Sequence, residues 1–222
     1  MKRAAKPTVL YRRDEATKTR RDILSTATDI ASAEGLEGLS IGRLASELGL
    51  SKTGIFAHFG SKQQLQLATV DSARQIFLEK VIQPALKQDR GLRRLCAMLE
   101  SWLAYVEQIV FRGGCFFAAA SAEFDSRPGP VRDQIARLTK SWLVSLQDET
   151  TIAVSNKEIR ASIDPAQFAF ELHAYVQEAN WAFKLFNDKS AFVRARRAIR
   201  NKIASAELQH RFGKPKKERV HD

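Results

Sequence analysis

The chain has 222 residues, with 36 Lys and Arg against 25 Asp and Glu, so its formal net charge is +11. An apolar content of 44% is enough to form a core, which excludes a chain that is disordered throughout. No stretch approaches the roughly 18 consecutive apolar residues of a membrane span, and two cysteines are too few for a disulfide framework. Composition therefore predicts a soluble cytoplasmic protein with no membrane partner, whose basic charge suits an anionic partner.

The positive charge is concentrated at the two ends of the chain. Residues 1–21 hold eight cations and two anions, and residues 194–222 hold ten cations and three anions. The middle of the chain then has a net charge of only −2. We expect residues 1–16 to form a basic flexible arm. Residues 211–222 are expected to form a disordered basic tail, because helix breakers interrupt them and no apolar period is present.

The first predicted helix begins at Thr19, which is expected to act as its N-cap, with Asp22 three residues further on. Gly35 supplies the C-terminal stop of this helix. No window of the sequence shows the sustained alternation of a strand, so an all-helical fold is expected. One apolar stripe at helical spacing comprises Ile23, Leu24, Ala27, Ile30 and Ala31.

Two short helices follow, joined by a glycine turn. One starts after the N-cap Ser40 and ends at Gly49, and the other runs from Lys52 to about Phe59 after the N-cap Ser51. Two helices of this length, separated by a turn of three or four residues, match the geometry of a helix-turn-helix. Glycine in the turn can adopt a positive φ without the Cβ penalty. The small core between the helices is predicted to contain Leu44, Leu48, Leu50 and Ile55.

The second short helix carries no acidic residue. A surface that enters a major groove must avoid carboxylates facing phosphates, whereas Lys52 can reach a guanine edge or a phosphate. Thr53 can form a hydrogen bond or contact a thymine methyl group. Lys62 follows the Ser61 cap of a fourth helix, where a helix N-terminus and a cation together favour a phosphate.

Apolar periodicity at helical spacing continues through the remaining chain. The fourth helix is expected to extend past Leu65 as a connector between two domains. The helices predicted after it complete a fold of about nine helices. Pro165 is the first residue of a long helix among them. The later helices are predicted at Leu92 to Val110, from Cys115, after Arg127-Pro128-Gly129-Pro130, at Pro165 to about Phe186, and up to about Leu208.

The run from Thr19 through Leu67 resembles the N-terminal DNA-binding domain of the TetR family of bacterial transcriptional regulators. Its segment GLSKTGIFAHFGSKQQL, from Gly49 to Leu65, is similar to the family's turn, short recognition helix and following F-x-S-K-x-x-L segment. The resemblance implies an all-α fold, with a helix-turn-helix DNA-binding domain at residues 17–62 and an effector-binding and dimerisation domain at residues 63–210. It also implies a repressor that binds a palindromic operator in double-stranded DNA as a homodimer and is released by a ligand.

Two positions depart from the family's pattern. Phe56 stands where members often have a Tyr that bonds a phosphate, so its contact is expected to be apolar. Gly42 stands where some members carry a base-contacting Arg, with Arg43 beside it. The basic arm is expected to add phosphate contacts. The predicted DNA-binding residues are Ser40, Arg43, Ser51, Lys52, Thr53, Gly54, Phe56, Ala57, His58 and Lys62.

The second domain is expected to bind a small apolar or aromatic effector and a second copy of the chain. The helix from Pro165 is apolar on two faces, so one face is predicted to serve its own core and the other a partner. In the family, the last two long helices form a bundle between two subunits. The candidate cavity residues are Trp102, Tyr105, Phe116, Phe117, Phe124, Trp142, Phe168, His173 and Tyr175, with Glu123 as a further polar candidate. The candidate dimer-interface residues are Phe170, Ala174, Trp181, Leu185, Phe192, Ala195 and Ile199.

No catalytic residue and no metal site are predicted. The four histidines and two cysteines show no metal-ligand spacing, and Cys115 has no nearby His or acid that would complete a nucleophilic site. No phosphate-binding loop is present either, so neither a cofactor nor enzymatic activity is expected. The alternative that the residues leave open is an all-helical small-molecule-binding or interaction protein with little specific DNA binding.

Overall fold

The structure is a computed structural model that describes residues 9–207, with side chains from residue 17 onward. The predicted tail at residues 211–222 and the first half of the predicted arm, residues 1–8, lie outside this range. Within it the fold is all-α, as the sequence predicted. The β-type pairing in the described residues is limited to an isolated bridge between Ile159 and Glu207.

The described residues form ten α-helices and one π-helical segment. Because α4, the π-helical segment and α5 are continuous, they make one rod, and the described chain has nine rods in all. The helices are α1 (Val9–Glu34), α2 (Ile41–Leu48), α3 (Lys52–Phe59), α4 (Lys62–Phe77), the π-helical segment (Leu78–Ile82), α5 (Gln83–Ala85), α6 (Leu92–Glu107), α7 (Phe116–Phe124), α8 (Pro130–Ser155), α9 (Pro165–Phe186) and α10 (Ser190–Ala206).

The first helix begins ten residues earlier than the sequence predicted. It starts at Val9, so Thr19 lies within the helix and is not its N-cap. The stretch from Val9 to Lys18 contains neither Gly nor Pro and is rich in good helix formers, so nothing interrupts the helix there. Residues 9–16, which were expected to be part of a flexible arm, are therefore helical.

The helices α1, α2 and α3 enclose a small core. Ile23 of α1, Leu44 of α2 and Ile55 of α3 are fully buried, as their spacing predicted. Leu50 was expected in this core, but it is 40% exposed. It belongs to the turn that follows Gly49, whose φ is 62°, so it does not share the helical stripes that face the core.

The helices after α3 form the second domain, and α4 leads into it. The long helix α9 packs between α8 and α10, while α4 packs against α8 and the π-helical segment packs against α6. The π-helical segment has a local cause in Pro84, which has no N–H to donate to the carbonyl of Lys80 and crowds it with its ring. The irregular end of α4 thus follows from one residue of the sequence.

A second contact between the two domains joins α1 to α7. The Glu123 carboxylate on α7 accepts hydrogen bonds from the backbone N–H groups of Leu36 (2.6 Å) and Glu37 (2.9 Å), just after α1. The N–H of Gly113 donates to the Ser32 hydroxyl at 3.1 Å. A Cβ at Gly113 would overlap the carbonyl oxygen of Ser32, so only glycine fits this close approach. Glu123, a polar candidate for the cavity, instead ties the second domain to the first.

Candidate nucleic-acid interface and ligand cavity

Three serines fix the N-termini of α2, α3 and α4. The hydroxyl of Ser40 accepts from the N–H of Arg43 at 3.1 Å, and that of Ser51 accepts from the N–H of Gly54 at 3.0 Å. The hydroxyl of Ser61 caps α4 in the same way. The residues predicted at these caps therefore have a structural task, and each cap leaves further N–H groups of the first turn free for an anion.

The outer face of α3 is exposed and free of carboxylates. Ile55 and Phe59 are buried beneath it. Phe56 is 52% exposed, which is unusual for a large apolar side chain and leaves its ring available for a contact. Of the residues predicted to bind DNA, those exposed on this face are Lys52, Thr53, Gly54, Phe56 and Ala57.

Lys52 lies over Gly42 of the preceding helix. A Cβ built at Gly42 would be 3.5 Å from Cε and 3.9 Å from Nζ of Lys52. The missing side chain at position 42 thus leaves the space that the Lys52 stem occupies. A single cation from α3 covers the N-terminal part of α2.

Two other predicted DNA-binding cations are held in ion pairs. The Arg43 guanidinium contacts Glu47 at 2.5 Å and Glu34 at 3.2 Å. Lys62 Nζ is 2.7 Å from Glu37 Oε1, and this hydrogen bond lowers the pKa of the Glu37 carboxyl. Both cations are exposed enough to exchange these carboxylates for phosphates.

His58 lies at the edge of the candidate interface and is half-buried beside Phe59, with ring centroids 6.2 Å apart. The guanidinium of Arg20 on α1 lies 5.2 Å from the Phe59 ring centre. An open cleft beside these residues is also lined by Arg21 and Gln64. Arg20 and Arg21, in the middle of α1, therefore lie next to the end of α3.

The second domain contains a cavity of about 170 Å³. Its walls come from the end of α4 with the π-helical segment, and from α6, α7, α8 and α9. Phe77 packs edge-on against Trp142 at 5.2 Å and against Phe117 at 6.0 Å between ring centres. Aromatic rings on three helices thus form most of the apolar wall.

The structure divides the nine predicted cavity residues into two groups. Four of them line the cavity: Trp102, Phe117, Trp142 and His173. The other five do not line it. Tyr175 is part of a shallow groove between α9 and α10. Tyr105, Phe116, Phe124 and Phe168 are buried in the surrounding core, because aromatic side chains at helical spacing also serve packing.

Several cavity residues were not predicted from the sequence. Arg74 is the one charged side chain among those lining the cavity. Four polar atoms of the residues that line the cavity are buried and have no hydrogen-bond partner among the described residues: Trp102 Nε1, Thr139 Oγ1, Trp142 Nε1 and Gln177 Oε1. Burial lowers the pKa of His173 to about 4, so its imidazole is neutral at pH 7.

The predicted dimer-interface residues also fall into two groups. Phe170, Trp181 and Leu185 are 63%, 50% and 61% exposed, and Ala174 on the same face of α9 is exposed as well. We call these four residues the α9 stripe. The predicted residues of α10 are buried against α9 and α6 within the same chain, so the single chain does not expose them beside the α9 stripe. These buried residues are Phe192, Ala195 and Ile199.

Cys115 and the histidines form no reactive arrangement in the part of the chain that the structure describes. Cys115 is buried in the cavity wall, and burial raises the pKa of its thiol, which keeps the sulfur protonated and weakly nucleophilic. No group of three His, Cys, Asp or Glu side chains within residues 17–207 could hold a metal ion. No helix among the described residues is long and apolar enough to cross a membrane.

Two family models match the chain, one in each domain. Residues 23–69 match the model described as "Bacterial regulatory proteins, tetR family", and residues 91–199 match "Tetracyclin repressor-like, C-terminal domain". The HTH-type transcriptional repressor AcnR of Corynebacterium glutamicum is 40% identical over 63 residues, which are 28% of this chain and 34% of that protein. That similarity therefore spans only about a third of the curated relative.

Solved structures share the fold over most of the chain. A TetR transcriptional regulator from Chloroflexus aurantiacus has a TM-score of 0.81 at 22% identity, covering 87% of this chain and 98% of that one. A TetR-family regulator from Cytophaga hutchinsonii has a TM-score of 0.74 at 20% identity, covering 88% and 98%. AibR, solved in complex with isovaleryl coenzyme A and operator DNA, has a TM-score of 0.65 at 22% identity, covering 84% and 97%. Identities this low establish a common fold.

The capped helix pair, the helical second domain and the two matching models define an all-helical transcriptional regulator with an N-terminal helix-turn-helix. The chain belongs to the TetR family of bacterial regulators. This assignment describes a regulator rather than an enzyme.

Proposed function

We propose that the chain is a repressor that binds a palindromic operator as a homodimer and is released by a small molecule. The observation that carries the proposal is the outer face of α3, where Lys52, Thr53 and Ala57 are exposed and no carboxylate is present. Such a face can enter a major groove without repelling the phosphates beside it. The capped N-termini of α2 and α4 then offer their first backbone N–H groups to the phosphates of the DNA.

The α9 stripe supports the homodimer. Three large apolar side chains lie on one face of a helix at helical spacing, each at least half exposed in the single chain. Exposed apolar patches of this kind mark interaction sites. An isologous pairing of two such faces would present two α3 helices related by a two-fold axis, which requires a palindromic site.

Release by a ligand is supported by the position of the cavity along α4. The continuous rod of α4, the π-helical segment and α5 begins at the Ser61 cap, shortly after α3, and Leu78 and Ile82 of its π-helical segment line the cavity. A ligand that favours one position of the rod's end shifts the population of α3 positions by its differential affinity. AibR has been solved with both an acyl-coenzyme A and operator DNA, which supports a related arrangement here.

The test is selection of DNA by the full chain from a pool of random duplexes at low salt. The proposal predicts enrichment of a palindromic sequence with half-sites about one helical turn apart. The double variant Lys52→Ala with Lys62→Ala should weaken binding to that sequence by at least roughly tenfold and lower the salt slope by about 1 for each lost phosphate contact.

The matched control is Lys87→Ala with Lys140→Ala, which removes the same charge from exposed positions of the second domain. It should retain the affinity and the salt slope. If no duplex is enriched at low salt, the chain is instead a ligand-binding or interaction protein, and the repressor proposal fails.

A further inference from the structure

The cavity in the second domain has a chemistry that restricts what it can bind. Its volume of about 170 Å³ is close to the roughly 150 Å³ of an apolar protein cavity that accepts one benzene ring. Phe77, Phe117 and Trp142 meet edge-on in its wall, an arrangement that presents ring faces and edges to an aromatic guest. The space therefore suits a single ring with small substituents, and is too small for a coenzyme A thioester.

The polar atoms in the wall define the substituents. The indole N–H of Trp142 and the hydroxyl of Thr139 are buried on α8, and the indole N–H of Trp102 is buried on α6, each with no hydrogen-bond partner among the described residues. On α9, the Gln177 carbonyl oxygen is also buried and without a partner in the described chain. A buried polar group without a partner is costly, so each of these atoms calls for a complementary group on a guest. The three donors require acceptors on the guest, and the Gln177 oxygen requires an N–H or O–H.

The charge of the wall distinguishes between acids and bases. None of the side chains that line the cavity is a carboxylate, and the sole formal charge comes from Arg74 on α4, the helix that packs along α8. His173 adds no positive or negative charge at neutral pH, because burial keeps its imidazole neutral. A cationic guest would find no counter-ion in the wall, whereas an anionic guest would find both Arg74 and the buried N–H and O–H donors.

From these three observations we propose that the cavity binds a monocyclic aromatic carboxylic acid that carries a ring hydroxyl. The carboxylate lies toward Arg74 and accepts from Thr139 and Trp142. The hydroxyl donates to Gln177. This inference rests on the proposed function, in which the second domain holds the effector, and it names the chemical class of that effector.

The test uses calorimetric titration of the full-length protein without DNA, with three probes of one shape. These are 4-hydroxybenzoate, its neutral relative 4-hydroxybenzamide, and the cation 4-hydroxybenzylamine. The acid should bind at least tenfold more tightly than the amide, and the amine should not bind. If the amine binds as tightly as the acid, or if none of the three binds at millimolar concentration, the inference is overturned.

Two variants assign the contacts. Arg74→Met should abolish the preference for the acid over the amide, while Arg137→Met, an exposed position of α8 outside the cavity, should leave it intact. Gln177→Leu should weaken the binding of 4-hydroxybenzoate at least tenfold. It should leave the binding of benzoate, which has no hydroxyl, unaffected. Arg74 is exposed, so its variant is expected to fold, and thermal unfolding of each variant checks this. Equal losses for 4-hydroxybenzoate and benzoate in Gln177→Leu would contradict the assignment of the hydroxyl.

A separate measurement keeps the two proposals apart. The acid is added to the complex of the protein with its selected duplex, and release of the DNA is followed by fluorescence anisotropy. Binding of the acid without release supports the ligand class and contradicts ligand-released repression. Selection of a palindrome by a protein that binds none of the probes contradicts the ligand class and leaves the DNA-binding function standing.

Discussion

At the scale of single residues, the candidate DNA interface keeps part of its positive charge in internal ion pairs. Arg43 contacts two carboxylates, and Lys62 contacts Glu37. Exposed ion pairs of this type contribute only about 0–1 kcal/mol, so a phosphate can replace the carboxylate at little cost. Lys52 forms no ion pair within the described part of the chain, and we expect it to contact DNA without such an exchange.

His173 gives the second domain a pH dependence. Its pKa is about 4 in the folded chain and about 6.5 when unfolded, so between these values the unfolded chain binds one more proton. The contribution of neutral His173 to the free energy of unfolding is therefore fully present above about pH 6.5. It falls as the pH drops toward 4, by up to about 3 kcal/mol. Urea unfolding at pH 7 and pH 5 measures the loss, and His173→Gln should lose about 2 kcal/mol less than the wild type over this interval. An identical loss in both proteins would contradict the assignment.

Residues that act through local spacing could be predicted from the sequence. Ser40, Ser51 and Ser61 were expected as N-caps, and each hydroxyl accepts from an N–H three residues later. The polar atoms of the cavity could not be predicted in this way. Thr139 and Gln177 belong to different helices, and only the long-range packing of α8 against α9 brings them to one cavity.

At the scale of helices, α7 is the element that connects the cavity with the DNA-binding domain. Near its start, Phe117 and Ala118 line the cavity. Near its end, the Glu123 carboxylate accepts hydrogen bonds from the backbone N–H groups of Leu36 and Glu37, which follow α1. One short helix therefore contacts both sites, in addition to the connection through α4.

Loss of the Glu123 carboxylate should destabilise this contact between the domains. In Glu123→Ala, the N–H groups of Leu36 and Glu37 lose their acceptor, which should lower the free energy of unfolding by about 1–3 kcal/mol. Asp148→Ala, an exposed acid on α8, is the control and should change it by less than about 0.5 kcal/mol. Urea unfolding followed by circular dichroism compares the two variants, and equal small effects would show that the Glu123 contact contributes nothing.

The helices themselves were predictable where caps and breakers mark them, but their orientation was not. Asp164 and Pro165 start α9 at the expected position, whereas α1 begins well before Thr19, the residue predicted to cap it. Both faces of α9 are apolar in sequence, so periodicity could not decide which one a partner would cover. In α10 most of the apolar residues, including Phe192, are buried within the same chain, whereas Val193 is exposed.

At the scale of the whole molecule, the candidate DNA interface and the exposed apolar face of α9 lie on different helices, far apart along the chain. The chain between residues 22 and 193 has a net charge of −2, and the basic residues before it continue into α1, beside the end of α3. The α9 stripe lies on a helix that ends at Phe186, in the second domain. A pairing through α9 would therefore leave Arg20 and Arg21, which lie beside the end of α3, outside the apolar contact.

The last prediction tests this pairing. Leu185→Asp introduces a charge into the α9 stripe, and burying it without a partner in a dimer is strongly unfavourable. The dimer dissociation constant should rise at least about 30-fold, the effect of losing roughly 2 kcal/mol at the centre of an interface. Sedimentation equilibrium, which separates the 25.0 kDa monomer from its dimer, measures this change.

Val144→Asp is the matched control, because Val144 is an exposed aliphatic residue of α8 outside the stripe, at 42% exposure. It should leave the dissociation constant unchanged. Because a palindrome is held by two α3 helices at once, Leu185→Asp should also bind the selected duplex more weakly and without cooperativity between half-sites, whereas Val144→Asp should bind as the wild type does. If Leu185→Asp and Val144→Asp sediment alike, the stripe is not the dimer interface, and the palindromic operator must be explained by another surface.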